Sequence, residues 1–475
     1  MPAPVQAQQA DHPGKPTYDR WCAGCHGVDG DGQGDAAGYM LPRPRDFTKA
    51  LYQIRTTASG QLPTDADIRR VIDEGMPGTA MPAWREQLSE AERDNLVAYL
   101  KTFSRFFGQG AAPEPLSFGS APGVSEEAIA EGREFYQSIE CWKCHGQEGR
   151  GDGQSAPTQT DDEGFPMRPA DLTEPWLFNG GATVEDIYRT LRTGLDGTPM
   201  PSFGDLLAAN FMTDEQLWNV AYYVRSLAPE EVPPRVREVV RAAQVDTLPG
   251  EAADSAWNDV ERFYIPLVGQ IIVKPRWFAP AVDGVWVQAV HDGNEIALRL
   301  SWSDPSRSPD PVWADWRQLV ESTMEPKLAT STPAAGAPAP ASGPAAAESQ
   351  PAPQPTPLGD AIAVQFPRTI PPGMERPYFF MGSARDPVYV WHWSSEAERA
   401  TEQLGRGPGR LDPIGADALL SSNAVWEHGQ WRLTLRRRLV VGDTAAGAEQ
   451  DANRLSFATR QPIPMAIFAW DGDNG

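Results

Sequence analysis

The sequence predicts a multidomain fold in which two small all-α domains precede one all-β sandwich domain. Three observations predict it: the chain has 475 residues, its first half contains an internal repeat, and its last third alternates apolar and polar residues. Such a length exceeds one ordinary domain, and 40% apolar residues can build packed cores. No run of about eighteen apolar residues occurs, so we expect no membrane span.

The four cysteines fall into two identical motifs. Each motif reads C-x-x-C-H, at residues 22–26 and 141–145, which is the attachment signature of c-type haem. A thioredoxin-like pair or a zinc site would also use paired cysteines, but neither explains a histidine directly after each second cysteine. We therefore expect two covalent haem c groups. The residues that would hold them are Cys22, Cys25, Cys141 and Cys144 for the thioethers, and His26 and His145 for the iron.

An internal duplication with an offset of 119 residues contains both motifs. The Gly-Thr-x-Met-Pro segment at 78–82 aligns with 197–201, so Met81 and Met200 follow the motif histidines by the same 55 positions. This recurrence predicts both methionines as iron ligands, and a thioether ligand raises the reduction potential and leaves no open site. The alternatives are methionines that fill core gaps and, in the first copy, Met76 as the ligand.

Each copy is expected to be a small helical domain. A serine or threonine with an acid or glutamine three residues later marks a capped helix start, and four such starts occur, at Thr64, Ser89, Thr183 and Thr213. The last helix of each copy carries apolar residues at spacings of three and four, which places them on one face.

The two copies resemble class I monohaem cytochrome c domains in tandem. The resemblance covers residues 15–107 and 124–228 and rests on the cysteines, histidines and methionines named above. Arg43 and Arg168 share an Arg-Pro-x-Asp element, and each could contact haem propionates because a guanidinium matches a carboxylate. A solvated loop arginine is the alternative for both.

The motifs also indicate a compartment. Haem is attached to C-x-x-C-H outside the bacterial cytoplasm, so we expect a periplasmic or otherwise exported protein. Residues 1–10 contain neither a charged nor an apolar signal region. The expectation is therefore that the sequence is a mature or truncated form.

The net charge is −23, of which residues 124–232 carry −13. This excess argues against a nucleic-acid binder and favours a basic partner or a high-salt habitat. We hypothesise that the second haem domain is the docking face for a soluble, basic redox carrier. A generally solvated acidic surface is the alternative.

The last third predicts a β-sandwich. Two hairpins are expected, one over 285–302 with its turn at 291–294, and one over 424–435 with its turn at 427–430. Further strands are expected at 360–366, 387–393 and 465–470, and many short strands are typical of a sandwich.

Several elements of this region resemble the haem-b-binding domain of ethylbenzene dehydrogenase-type γ subunits. They include Leu300–Asp304, Asp360–Pro367, Tyr378–Gly382, Val390–Trp393 and Ala469–Gly472. The resemblance spans 257–475 and implies one haem b between a methionine, here Met381, and, usually, a lysine. No lysine follows Lys327. Either a ligand-bearing tail is missing, or His392 or His428 substitutes, or no haem b binds and Met381 is a core residue.

Composition sets the domain boundaries. They are cytochrome c domain 1 at 1–108, a linker at 109–123, cytochrome c domain 2 at 124–232, a linker at 233–256, and the sandwich at 257–475. The Ala- and Pro-rich segment 328–357 cannot bury a core, so we expect a disordered insertion there.

These features favour an electron-transfer subunit without catalytic residues of its own. The resemblance implies partners: the subunits of a molybdenum and iron–sulfur oxidoreductase of the dimethyl-sulfoxide-reductase class, with a soluble redox carrier. One alternative is a dihaem cytochrome c fused to a ligand- or carbohydrate-binding sandwich without a third haem. The other is a dihaem enzyme such as a peroxidase, with an open sixth site on one iron.

Overall fold

The computed structural model describes most of the chain. The described residues are 11–108, 112–232, 234, 236, 239–270, 272, 280–324, 358–370, 378–397, 399–415, 419–441 and 453–472. The insertion expected at 328–357 and parts of both expected linkers lie outside them. No helix within these ranges has the length and apolar character needed to cross a membrane.

The first half contains two helical units with the same element order, except that the second has one additional short helix. The first unit has α1 (Lys15–Trp21), α2 (Ala23–His26), α3 (Asp65–Glu74) and α4 (Glu90–Lys101). The second has α5 (Glu126–Ser138), α6 (Trp142–His145), α7 (Val184–Thr193), α8 (Gly204–Ala208) and α9 (Asp214–Ser226). Short 3-10 turns connect them, at Ala37–Tyr39, Phe47–Lys49, Arg105–Gly108, Ala156–Thr158 and Pro175–Leu177.

The four helix starts expected from the sequence are present. Thr64, Ser89 and Thr213 each form a complete capping box, in which two otherwise unpaired backbone amides are satisfied. Thr183 accepts a hydrogen bond from the amide of Asp186. The sequence pattern therefore predicts where the helices of both units begin.

In each unit the first and last helices cross closely at a glycine. A β-carbon on Gly14 or on Gly132 would overlap the carbonyl oxygen of Asn95 or Asn219, respectively, on the facing helix. A buried tyrosine one turn later donates its hydroxyl hydrogen to the glycine after the motif histidine: Tyr18 to Gly27 O at 2.7 Å, and Tyr136 to Gly146 O at 2.6 Å. Both copies thus hold their C-x-x-C-H segment in the same way.

The last part of the chain forms two β-sheets. Its strands are β1 (Ala243–Gln244), β2 (Phe263–Pro266), β3 (Gly284–His291), β4 (Glu295–Ser303), β5 (Ala361–Pro367), β6 (Val388–Ser394), β7 (Thr401–Gly405), β8 (Leu411–Pro413), β9 (Ser421–Glu427), β10 (Gln430–Arg438) and β11 (Ala466–Trp470). One sheet has the order β1-β3-β4-β10-β9, with β2 also paired to β3, and the other has the order β11-β5-β6-β7-β8.

Both expected hairpins and the three further strands are present. The strands of the second hairpin are longer than expected. Residues 421–427 of β9 pair with residues 430–436 of β10 in antiparallel register. The two sheets bury a shared core that includes Trp302, Trp391 and Trp431. One helix, α10 (Pro311–Met324), stands between β4 and β5, so the region is sheet-rich but contains a helix that its alternating pattern did not predict.

Buried polar contacts join the helical units. The Arg55 side chain is fully buried and donates to Thr193 O at 2.6 Å and to Asp196 at 2.7 Å. Arg70 reaches across the same interface to Asp186 at 2.7 Å. The second unit contacts the sheet region through Arg168, which donates to Ala281 O at 2.9 Å.

Candidate functional site

The first C-x-x-C-H motif lies on a tight helical turn. Cys22 caps α1, and α2 carries Cys25 and His26. The His26 Nδ1 lies 3.0 Å from the carbonyl oxygen of Arg45, and burial lowers the pKa of this imidazole. A neutral histidine whose Nδ1 is tied to a carbonyl presents Nε2 as a metal ligand.

The second motif repeats this geometry. The His145 Nδ1 lies 2.9 Å from the carbonyl oxygen of Ala170, and burial again lowers the pKa of the imidazole. Burial raises the pKa of Cys141 to about 12, as it does that of Cys22. All four cysteines are free thiols, so the donors needed for two covalent haem attachments are in place.

The two methionine loops are also alike. The Met81 amide donates to Thr79 Oγ1 at 3.1 Å, and the Met200 amide donates to Thr198 Oγ1 at 3.2 Å. Each methionine carbonyl also accepts a backbone hydrogen bond from the residue five positions earlier. The same pattern of hydrogen bonds therefore holds the methionine backbone in both loops.

His145 and Met200 line one cavity of about 990 Å³. Both cysteines of the motif also line it, together with apolar side chains of the second unit: Leu172, Ile187, Leu191, Phe203, Val220 and Val224. A thiol pair, an imidazole and a thioether around an apolar cavity are the donor set and lining that suit haem c. The residues present therefore fit the group.

The wall of this cavity comes from three parts of the chain. The first unit contributes residues 39–42 and 78–80, the latter from the loop that carries Met81. The sheet region contributes Ala281, Asp283 and three α10 side chains, Trp313, Trp316 and Arg317. The cavity beside the second C-x-x-C-H motif is therefore located where all three parts meet.

The two arginines expected near propionates differ in position. Arg168 lines the cavity. Arg43 is absent from its lining, donates to the carbonyls of Ala37 and of Thr323 on α10, and lies 4.9 Å from the Phe165 ring. A propionate contact stays a prediction for both.

Sequence reasoning missed a carboxyl pair in the cavity wall. Glu174 of the second unit and Asp283 of the sheet region are buried together near Arg168, and the Glu174 carboxyl hydrogen-bonds to Asp283. Burial raises the pKa of both groups; the Asp283 carboxylate raises the pKa of Glu174 further, whereas the hydrogen bond from Glu174 lowers the pKa of Asp283. Glu174 aligns with Lys49 of the first copy, so the repeat gave no signal for the pair.

Met381 lies on the outer face of the second sheet. Its side chain is buried with Ala363, Val388 and Val390, whose neighbours along β5 and β6 face the main core instead. Its backbone has a φ of 58°, and its amide donates to Gln365 Oε1 at 2.8 Å. A hydrogen-bonded loop therefore fixes this methionine.

The two histidines considered as substitutes for the lysine are far apart in the fold. His392 pairs with Ala363 in the β5–β6 ladder, which puts it on the same sheet face as Met381, and burial lowers its pKa. His428 lies in the β9–β10 turn, where the adjacent Gly429 packs against Asp152 of the second unit. Of the two, His392 shares a sheet face with Met381.

Family models match three parts of the chain. A model described as cytochrome c oxidase, cbb3-type, subunit III matches residues 9–100, and a cytochrome c model matches residues 129–228. An ethylbenzene dehydrogenase model matches residues 254–412. These matches confirm both resemblances.

Several curated proteins are similar to parts of the chain. A candidate respiratory nitrate reductase haem subunit of Haloferax mediterranei is 25% identical over 49% of this chain and 65% of its own length. The chlorate reductase subunit gamma of Ideonella dechloratans is 26% identical over 41% of this chain and 59% of its own length. Cytochrome c-554(547) of Halothiobacillus neapolitanus is 36% identical over 19% of this chain and 91% of its own length. The chain thus spans about three fifths of the first two relatives.

A solved structure is also similar to this chain in sequence. It belongs to a reducing HAO-like protein complex of Kuenenia stuttgartiensis, is 42% identical, and covers 48% of this chain and 100% of its own, with a TM-score of 0.44. The first two curated relatives are named as subunits of reductases, in agreement with the expectation that this chain carries electrons instead of transforming a substrate.

Proposed function

Because the chain belongs to the cytochrome c family and carries two cytochrome c domains ahead of an ethylbenzene dehydrogenase-type domain, we propose that it is an exported electron-transfer subunit of an oxidoreductase complex. The observation that carries the proposal is the second haem cavity, whose wall is built by all three parts of the chain. A site shared in this way lies on the route between the first haem site and the sheet region.

The haem c groups would be held by the residues named from the motifs. Cys22 and Cys25 would form the thioethers of the first site, with His26 and Met81 as iron ligands. The second site would use Cys141 and Cys144, with His145 and Met200. A bound haem c accepts and releases single electrons, and the carbonyls of Arg45 and Ala170 orient the ligating imidazoles.

Rigid contacts between the units keep the two sites in a fixed relation. Arg55 and Arg70 of the first domain bind Asp196 and Asp186 of the second. The rate of electron transfer falls steeply with the distance between two redox groups, so contacts that keep this distance constant suit a relay. The domain limits that we propose are 1–108, 124–232 and 257–475.

We propose that the sheet region faces the partner enzyme. The similarity to subunits of a nitrate reductase and a chlorate reductase supports a molybdenum oxidoreductase as that partner. Met381, on the outer sheet face, is the proposed ligand of one haem b there. The second domain supplies exposed acids beside its haem motif, among them Glu134, Glu140 and Glu148, which suit docking of a basic soluble carrier.

Isolation of the complex from the native host tests the proposal. We expect the full chain to copurify with a subunit that contains molybdenum, and dithionite-reduced c-type haem in the complex to reoxidise when the partner's electron acceptor is added. A chain that purifies alone, without molybdenum and without redox exchange with any oxidoreductase, would contradict the assignment.

A second candidate for the sheet region is a ligand-binding module without haem b. Three aromatic side chains of the sheet region are exposed, Tyr378, Phe379 and Trp470, and exposed aromatics are used by sugar-binding surfaces. Acid–acetone extraction separates the candidates, because haem b is extractable and haem c is not. We expect extractable haem from the native chain, less from Met381→Leu, and no loss in the control Met465→Leu.

A further inference from the structure

Three buried carboxylates meet at one end of the β-sandwich. Asp304 follows β4, Asp360 precedes β5 and Asp471 follows β11, and their side chains are 0%, 0% and 6% exposed. One carboxylate oxygen of each lies within 4.8 Å of the others. Each belongs to a different one of the elements that resemble the ethylbenzene dehydrogenase-type domain.

Two of these carboxylates have good hydrogen-bond partners. Asp360 accepts from the Ser308 amide at 2.9 Å, from Trp431 Nε1 at 3.0 Å and from the Gly472 amide at 3.1 Å. Asp471 forms an ion pair with Arg317 of α10 and accepts from the Ser308 hydroxyl at 3.3 Å. These contacts hold both side chains in place.

Asp304 differs from its neighbours. Its Oδ1 accepts one long hydrogen bond, from the Ser306 amide at 3.3 Å. Its Oδ2 is fully buried and has no hydrogen-bond donor among the described parts of the chain. A buried carboxylate oxygen without a donor is costly, so this atom indicates a missing partner.

The charge of the cluster points the same way. Among the described residues, Arg317, which is 2% exposed, forms an ion pair with Asp471 and acts electrostatically on Asp304. Arg168 also acts electrostatically on Asp304, and its guanidinium hydrogen-bonds to Ala281 O. The cluster therefore has an excess of negative charge, and buried charges are normally paired or bound to metal.

We propose that Asp304, Asp360 and Asp471 bind a divalent cation of the calcium class. Their ligand atoms are carboxylate oxygens only, which suits hard cations and not the transition metals that favour nitrogen or sulfur. Calcium accepts irregular oxygen shells completed by water and carbonyls. The cation would be the partner that Asp304 Oδ2 lacks. It would also offset the negative charge of the three carboxylates that Arg317 does not neutralise.

This site would stabilise the wall of the second haem cavity. The segment from Asp304 to Asp310 leads directly into α10, which places Trp313, Trp316 and Arg317 in that wall. A cation held between β4, β5 and β11 would fix the start of this segment. Its loss should loosen α10 and the part of the cavity wall that this helix forms.

Metal counting on the full-length holoprotein tests the proposal. The protein is first dialysed against EGTA and then against calcium chloride in salt of at least about 0.3 M, which screens weak binding to the acidic surface. Calcium and iron are measured in the same sample by mass spectrometry, so that iron reports the amount of folded chain. We expect one calcium ion per chain and a rise in the unfolding temperature of the sandwich with calcium.

Two variants make the test specific. Asp304→Asn should lose the stoichiometric calcium and the temperature shift, whereas Asp412→Asn, at an exposed acid of the same region, should keep both. If Asp304→Asn does not fold, the wild-type count decides alone. Absence of bound calcium in the wild type, which would mean that Asp304 is simply protonated, overturns the proposal, as does calcium that stays fully bound to folded Asp304→Asn.

Discussion

Replacement of Arg55 by alanine should weaken the interface between the two cytochrome c domains. The Arg55 side chain is 0% exposed, and its guanidinium donates to Tyr52 O, Thr193 O and Asp196. Two of these partners lie in the second domain. The substitution therefore removes a buried link that spans 138 to 141 residues of sequence.

The expected loss follows from the individual contacts. A hydrogen bond to a charged group contributes roughly 1.5–3 kcal/mol, and a buried carbonyl left without a donor costs roughly 1–3 kcal/mol. Asp196 keeps its hydrogen bonds from Ser59 and Gly60 and is 13% exposed, so we take the lower end of the range. The destabilisation should be about 3 kcal/mol. If the two helical domains unfold together, as a unit of roughly 200 residues, this loss lowers the unfolding temperature by about 6–12 °C.

Thermal unfolding of the holoprotein, followed by circular dichroism in the helical region, measures this effect. Arg85→Ala is the matched control, because Arg85 pairs with Glu74 at 3.3 Å with 58% of its side chain exposed. Exposed pairs contribute about 1 kcal/mol or less. The reasoning is refuted if Arg55→Ala and Arg85→Ala unfold within about 2 °C of each other.

Three further predictions concern the haem sites and the cavity wall. Met81→Ala and Met200→Ala should each alter the spectrum and lower the reduction potential of one haem in spectroelectrochemistry, whereas the control Met76→Ala should change neither quantity. An unchanged spectrum in Met81→Ala or Met200→Ala would show that this methionine is not an iron ligand, and it would favour an enzymatic role. The rate of electron transfer to a basic carrier, measured by stopped flow, should fall as ionic strength rises, and a flat profile would exclude docking on the acidic domain. Glu174 has a raised pKa in the folded protein, so the folded state binds the extra proton and stability should fall as the pH rises above the ordinary carboxyl range. Glu174→Gln should flatten this fall in a pH series of thermal unfolding, and an unchanged slope would contradict the role of the Glu174–Asp283 pair.

The helix starts and strands were predictable because their signals are local. A capping box needs residues only three apart, and Thr64, Ser89 and Thr213 all form one. Strand alternation is equally local, and the β3–β4 hairpin lies within one residue of its expected limits at each end. Such features depend on the chain's own neighbours and not on tertiary packing.

The backbone role of the Arg-Pro-x-Asp element was not predictable. The repeat draws attention to the side chains of Arg43 and Arg168, but the carbonyls of residues 45 and 170 orient the histidines. Every residue has a carbonyl, so the identities Arg45 and Ala170 give no signal. The repeat therefore indicates this segment, but it does not indicate the two carbonyl oxygens that orient the histidines.

The contacts between domains also could not be predicted from the sequence. Helix α10 has no counterpart in the strand pattern, yet three of its side chains line the second haem cavity. Asp304, Asp360 and Asp471 were noted in three separate elements, and only the sheet order, with β11 beside β5, brings the last two together. Convergence of this kind depends on topology, which local patterns do not determine.

The most direct measurement of the central claim is the intact mass of the chain expressed with the cytochrome c maturation system, together with the single variants Cys25→Ser and Cys144→Ser. The account predicts a mass increase equal to two haem groups in the native chain, and haem attachment at the affected motif should be impaired in each variant. A native chain with the mass of the bare polypeptide would show that neither motif binds haem covalently and would contradict the account.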